Sequence, residues 1–191
     1  MNVRWLSGRT FGVLAAAPLV LAAVLTGMPP GGASASTCVG WTGVQPPNPS
    51  SSVNVFSGVA ALSSCNAWAA GYYDNGTADQ TLIEHWNGTA WSQIPSPNPG
   101  GSANDNFLYG VAATSSSNAW AVGYYDIGAT PQTLIEHWNG TAWRQVSSPN
   151  PGGSANDNFL YGVAATSPAN IWAVGSYFNG TATETLALHC C

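Results

Sequence analysis

The chain has 191 residues, nine of them tryptophan, and sets three basic side chains against eight carboxylates for a formal charge of −5. A surface of that sign repels phosphate backbones and anionic headgroups, which excludes nucleic acid as a partner and, once a leader is removed, the membrane. Charged residues make up only 6% of the chain, so Ser, Thr, Asn and Gly must face solvent, a composition suited to the outside of a cell.

The first element in chain order is a leader. Arg4 and Arg9 precede an apolar run from Phe11 to Met28, and Ala33-Ser34-Ala35 supplies small residues for cleavage. Residues 1–35 are expected to be an export signal and the protein to be secreted or held at the cell surface. An uncleaved membrane anchor is the alternative, and Pro18 and the Ala-x-Ala site speak against it. Beyond the leader the only basic residue is Arg144, so residues 36–191 carry a formal charge of −7. All four cysteines, Cys38, Cys65, Cys190 and Cys191, lie in this exported part, where disulfides are the default and no paired zinc spacing is present.

A repeat organises the rest. Asn106 to Thr114, Asn-Phe-Leu-Tyr-Gly-Val-Ala-Ala-Thr, returns letter for letter 52 residues later at Asn158 to Thr166, and a divergent copy begins at Asn54. Trp68, Trp120 and Trp172 keep the register, as do His85, His137 and His189. Each period breaks into four short strand-like runs, in the second copy Phe107 to Ala113, Ala119 to Tyr125, Thr133 to Trp138 and Thr141 to Val146. The Asn139-Gly140 link reads as a tight type I′ hairpin, whereas Asp126 to Gln132 and the segment from Ser147 to Asn158 read as longer loops. Both faces of the third run are apolar, with Leu134 and Trp138 on one side and Ile135 on the other, as a sheet stacked between two neighbours requires. The expected fold is all-β, a β-propeller-type array of four-stranded blades in three 52-residue repeats.

Asn118-Ala119-Trp120-Ala121-Val122-Gly123 followed by Leu134-Ile135-Glu136-His137-Trp138-Asn139-Gly140-Thr141-Ala142-Trp143 resembles the kelch blade of galactose oxidase-like propellers, over nearly all of the exported chain. The second glycine of that family's pair is Tyr72, Tyr124 or Ser176 here. The repeat is also similar to tandem Trp-rich propeller repeats of uncharacterised exported bacterial proteins, which implies location and no activity.

The two ends bear on assembly. Trp41 to Pro49 aligns with Trp91 to Pro99, so the exported part begins with a lone fourth strand, and it stops at the end of a third strand. The expected domain, residues 36–191, then holds blades at about 54–97, 106–149 and 158–191, the last completed by residues 38–47, the shared-blade closure that the resemblance implies. Superposing the copies places Cys38 and Cys191 at the opened hairpin turn, which makes a Cys38–Cys191 disulfide the expectation, with Cys190 as the alternative partner. Three blades are fewer than the four to eight of ordinary propellers, so self-association into a closed ring, an open arc and a shortened array all stay open.

For function, the loop face gathers Tyr72, Tyr73 and Asp74 with Tyr124, Tyr125 and Asp126, and adds Asp105 and Asp157 from two Asn-Asp-Asn triplets. Aromatic rings beside Asx side chains stack on a sugar's apolar face and hydrogen-bond its hydroxyls; the competing account is that the tyrosines cap the core and the Asx residues build turns. No cofactor is expected. The triplets lack the spacing of a calcium loop, and equivalent histidines on different blades lie too far apart to share a zinc ion, so they read as blade-to-blade hydrogen-bonding residues. A sialidase-like site lacks its arginines and a copper oxidase site its converging ligands. Two carboxylates such as Asp105 and Asp157 leave glycoside hydrolysis formally open, although repeated placement argues for like roles. The expectation is a non-enzymatic binding module for an extracellular glycan or protein, with a purely structural or protein-interaction repeat as its rival.

Overall fold

The computed structural model describes residues 42–190. The leader, Cys38 and Cys191 lie outside the described residues, and with them the expected Cys38–Cys191 pair. Cys65 and Cys190 are exposed and form no disulfide among the described residues.

Eleven strands and no helix are present among the described residues. They form three antiparallel sheets, one per repeat. The first holds β1 (Asn54–Ser63), β2 (Asn66–Asp74), β3 (Asp79–Trp86) and β4 (Trp91–Gln93). The second holds β5 (Asn106–Ser115), β6 (Asn118–Ile127), β7 (Thr130–Trp138) and β8 (Trp143–Val146). The third holds β9 (Asn158–Ser167), β10 (Asn170–Phe178) and β11 (Thr183–Cys190). Strands follow one another across each sheet in chain order, so every connection within a sheet is a hairpin.

Two links differ from the sequence expectation. The third and fourth strands pair Trp138 with Trp143, so the turn is the four residues Asn139 to Ala142 and not a two-residue type I′ hairpin. Asn139 is the reason: its Oδ1 accepts from the backbone N–H of Thr141 and of Ala142, an Asx cap that holds a wider loop, with Gly140 at φ 94°. The second and third strands run on as far as the Ile127–Thr130 pair, leaving Gly128 and Ala129 alone as the turn. Only the segment from the fourth strand to the next first strand is a long loop.

The sheets stack face to face. We call the face of each sheet toward the preceding repeat its front and the opposite face its rear. At the first interface Trp68, Ala70 and Ile83 from the rear of the first sheet bury against Leu108, Val111, Ala119, Ala121, Leu134 and Trp143 from the front of the second. At the second, Val122 meets Leu160, Ala173 and Leu186, flanked by Ile135, Val163 and Leu188. Away from the irregularities in β1, β5 and β9, residues alternate between the two faces, which is why a strand such as β7 needs apolar side chains on both. Glycine lets the first strands of successive sheets approach: a Cβ on Gly58 would stand 3.1 Å from Gly110 Cα, and one on Gly110 would stand 3.2 Å from Gly162 Cα.

Candidate functional site

The long loops are built by asparagine. Asn106, fully buried, accepts at Oδ1 from Gly100 N–H (2.9 Å) and donates from Nδ2 to the carbonyls of Gly101 (3.1 Å) and Asn104 (2.8 Å). Asn158 makes the same three bonds to Gly152, Gly153 and Asn156. These side chains spend their polar atoms on the loop and have none for a ligand. Buried Gln80 and Thr81 tie strand β3 to the loop that follows, Gln80 Nε2 donating to Asn104 O at 3.2 Å and Thr81 N–H donating to Asn98 Oδ1 at 2.7 Å.

Within that frame the structure separates the eight residues singled out from the sequence. Tyr72 and Tyr124 enter a half-buried aromatic ladder that crosses all three sheets on their first and second strands. Tyr72 meets Phe107 edge-on at 4.7 Å, Phe107 lies 4.9 Å from Tyr124, and Tyr124 meets Phe159 edge-on at 4.9 Å. Tyr109 stacks on Tyr124 at 5.9 Å and touches Tyr161, itself 49% exposed, at 5.9 Å. Burial pushes the hydroxyls of Tyr109 and Tyr124 up. Tyr125 leaves this group and packs into the first interface, capping the core. Tyr73 lines an open hollow of about 310 Å³ with Thr81, Gln93 and Asn98.

The carboxylates gather without a counter-ion. Asp105 Oδ1 accepts from the backbone N–H of Asp79 at 2.9 Å. Burial and then the charges of Asp105 and Asp74 raise the pKa of Asp79; burial and then Asp105 and Asp157 raise that of Asp126. Asp105 and Asp157, alike in sequence, are not alike in place. The position of Asp79 is Pro131 in the second repeat, which has no N–H to give, and Asp157 stays exposed with no hydrogen bond to its carboxylate. No three of the described His, Cys, Asp and Glu side chains converge in a way that could hold a metal ion.

The histidines correct a sequence expectation, for they bond within a sheet and not between sheets. His85, His137 and His189 hydrogen-bond through Nε2 to Asn66, Asn118 and Asn170 of the neighbouring strand at 3.1, 2.7 and 2.9 Å. Each lies directly across from Trp68, Trp120 or Trp172, with ring centroids 4.2 to 4.4 Å apart, because the register pairs them.

Sequence reasoning passed over two sets of residues. Phe107, Tyr109, Phe159 and Tyr161 were legible as a repeated Phe-x-Tyr in the first strand, a pattern that puts two rings on one face. Glu84 and Glu136 are completely buried with both carboxylate oxygens unpartnered. Burial raises the Glu84 pKa to about 7 and pushes that of Glu136 well above the ordinary range. The difference follows their cover: Glu136 lies between two sheets, Glu84 on the front of the first. Neither reaches the loop face, so they are core residues held toward the neutral acid.

The arrangement offers aromatic edges beside a hydrogen-bond-accepting carboxylate. No protein-family model matches the chain, and no curated protein matches it.

Proposed function

We propose that the protein is an exported, non-enzymatic repeat protein of β-propeller architecture, kelch-like in its blades, that binds a neutral extracellular glycan through its loop face. The observation that carries this reading is the continuity of Tyr161, Tyr109 and Tyr124 with the uncompensated carboxylates Asp79, Asp105, Asp126 and Asp157. A ring that is half exposed gives area to a pyranose face at small entropic cost, and ionised carboxylates accept from sugar hydroxyls. An anionic ligand is repelled by the same group. Like sites in successive repeats add avidity to weak single contacts.

A glycan array tests it. Binding that weakens at least tenfold in Tyr161→Ala and in Asp157→Asn supports the reading, and an array at background for the folded wild-type protein overturns it. The rival reading, a repeat whose faces serve assembly alone, draws on the half-exposed apolar residues at the two ends of the stack. Release of reducing sugar from a carbohydrate panel that stopped in Asp105→Asn would restore a hydrolase.

A further inference from the structure

The repeat allows each sheet face to be compared with its own counterparts, and the two outer faces stand out. Phe56 is 38% and Val59 69% exposed on the front of the first sheet, whereas their counterparts Leu108 and Val111 are 0% and 7% exposed and Leu160 is 0%. Trp172 and Val174 are 48% and 50% exposed on the rear of the third sheet, whereas Trp68 and Ala70 at the same positions of the first are 1% and 0%. These two faces are the two halves of the contact that the molecule already makes twice.

The match extends to particular groups. At the first interface Trp68 enters between Trp138 and Trp143, 5.1 and 5.3 Å from their ring centres. The front of the first sheet carries the same receiving pair, Trp86 and Trp91, 5.8 Å apart, with Phe56 beside them at 6.3 Å. Trp172 is the indole that corresponds to Trp68. The glycines agree: a Cβ on Gly58 or Gly110 would press on the backbone of the next sheet, whereas one on Gly162 would meet only Val174 Cγ2 at 3.4 Å. The third sheet keeps a close-approach position on its rear that nothing occupies.

We propose that the rear of the third sheet docks on the front of the first sheet of a second copy of this chain, with Trp172 seated between Trp86 and Trp91 of that copy. The proposal rests on the propeller reading of the architecture. A head-to-tail contact of this kind must close or grow into a filament. Three-sheet units close only at multiples of three, and six is the multiple that falls within the four to eight sheets of known rings. Two copies therefore complete it, each using both faces.

The same docking bears on the cavity of about 200 Å³ between the second and third sheets, lined by Trp120, Val122, Ile135, Val146, Leu188 and Cys190 among others. At the first interface the corresponding space holds Trp138 and Trp143. The third sheet has Cys190 at the position of Trp138 and, among the described residues, no fourth strand. In sequence the segment from Trp41 aligns with that strand, and Pro46, beyond its end, lines a hollow on the front of the first sheet with Phe56 and Val59, the face that the docking brings to the third sheet.

Sedimentation of the protein secreted from the full-length gene, over a hundredfold range of concentration, tests the docking. The expected mass is that of two chains. Val59→Arg and Val174→Glu, each at a half or more exposed position that leaves the fold intact, sediment alone as single chains, and their equimolar mixture returns to a pair through its one unblocked contact. Trp172→Ala weakens the pair by ~30-fold or more, as for a buried aromatic anchor. Gly162→Ala abolishes pairing and leaves a folded single chain. A wild type that stays a single chain, a mass that climbs without limit, or pairs that survive both charge variants overturns the proposal. A wild type that stays a single chain and still binds glycan would sink the docking and leave the loop-face reading standing. A stable pair with no glycan binding would do the reverse.

Discussion

The two interfaces inside this molecule are made from the same repeat and are packed differently. The first encloses three indoles, Trp68, Trp138 and Trp143, and the fully buried Glu136. The second replaces Trp138 by Cys190 and Glu136 by Leu188, and leaves a cavity beside Trp120. A strand pattern thus specifies that two sheets stack, while the residues that arrive from the neighbouring sheet decide how completely the space is filled. Densely packed interiors lose stability in proportion to what is missing, so the two interfaces differ in strength.

The largest effect is expected where the contrast is greatest. Trp68→Ala removes an indole that is 1% exposed and is expected to cost ~3–5 kcal/mol, while Trp172→Ala, at the same repeat position but half exposed, costs a single chain under ~1 kcal/mol. Urea unfolding of both variants measures the gap, and equal losses would end the comparison.

Next comes pH. Glu136 has its carboxyl pushed well above 4.5 by burial, so the unfolded chain loses that proton first. Stability then falls as pH rises above about 4.5, by ~1.4 kcal/mol per pH unit for each such group, until the folded pKa is reached. For Glu84, raised to about 7, the fall is complete near pH 7; for Glu136 it continues beyond. Glu136→Leu, which installs the residue that Leu188 supplies in the third sheet, is expected to flatten the curve above pH 7 and to change little at pH 4. Denaturant melts at pH 4, 6 and 8 sharpen the contrast between the two interfaces, and an unchanged slope would refute the buried-acid account.

A smaller effect separates two glycines of one repeat position. Gly110→Ala drives a methyl to 3.1 Å from Val163 N and is expected to cost ~1–3 kcal/mol, whereas Gly162→Ala meets ordinary contact distances and stays within ~0.5 kcal/mol in a single chain. Thermal unfolding of the pair of variants reads this directly. Smallest of all is the charge on the loop face. Asp105→Asn should lower the raised pKa values of both Asp79 and Asp126, and Asp157→Asn that of Asp126 alone, each with a stability change under ~0.5 kcal/mol. Carboxyl titration by NMR distinguishes the two, and matching shifts would mean that the two aspartates are equivalent after all.

Much of the fold was legible because its period is written in letters. Leu134 and Trp138 on one side and Ile135 on the other marked a strand covered on both faces. The turn at Asn139 was read as tighter than it is, since a dipeptide signal does not reveal that the asparagine caps a wider loop through its own side chain. The candidate site was legible in composition and less so in membership. Tyr124 and Tyr125 are neighbours in sequence, yet alternation along the strand sends one to the aromatic ladder and the other to the core. Tyr109 and Tyr161 were hidden inside a motif that also made sense as plain strand.

By itself the sequence determined the strands, their order and the repeat, because these follow from local alternation, turn chemistry and period, which each copy carries in full. Tertiary structure alone decided which equivalent positions remain equivalent. Trp68 and Trp172, Asp105 and Asp157, Gly110 and Gly162 are the same letters in the same register, and they differ in burial, partner or room. The reason is that burial is conferred by the neighbouring sheet, a contact made at long range, and the two ends of a stack have a neighbour on one side only.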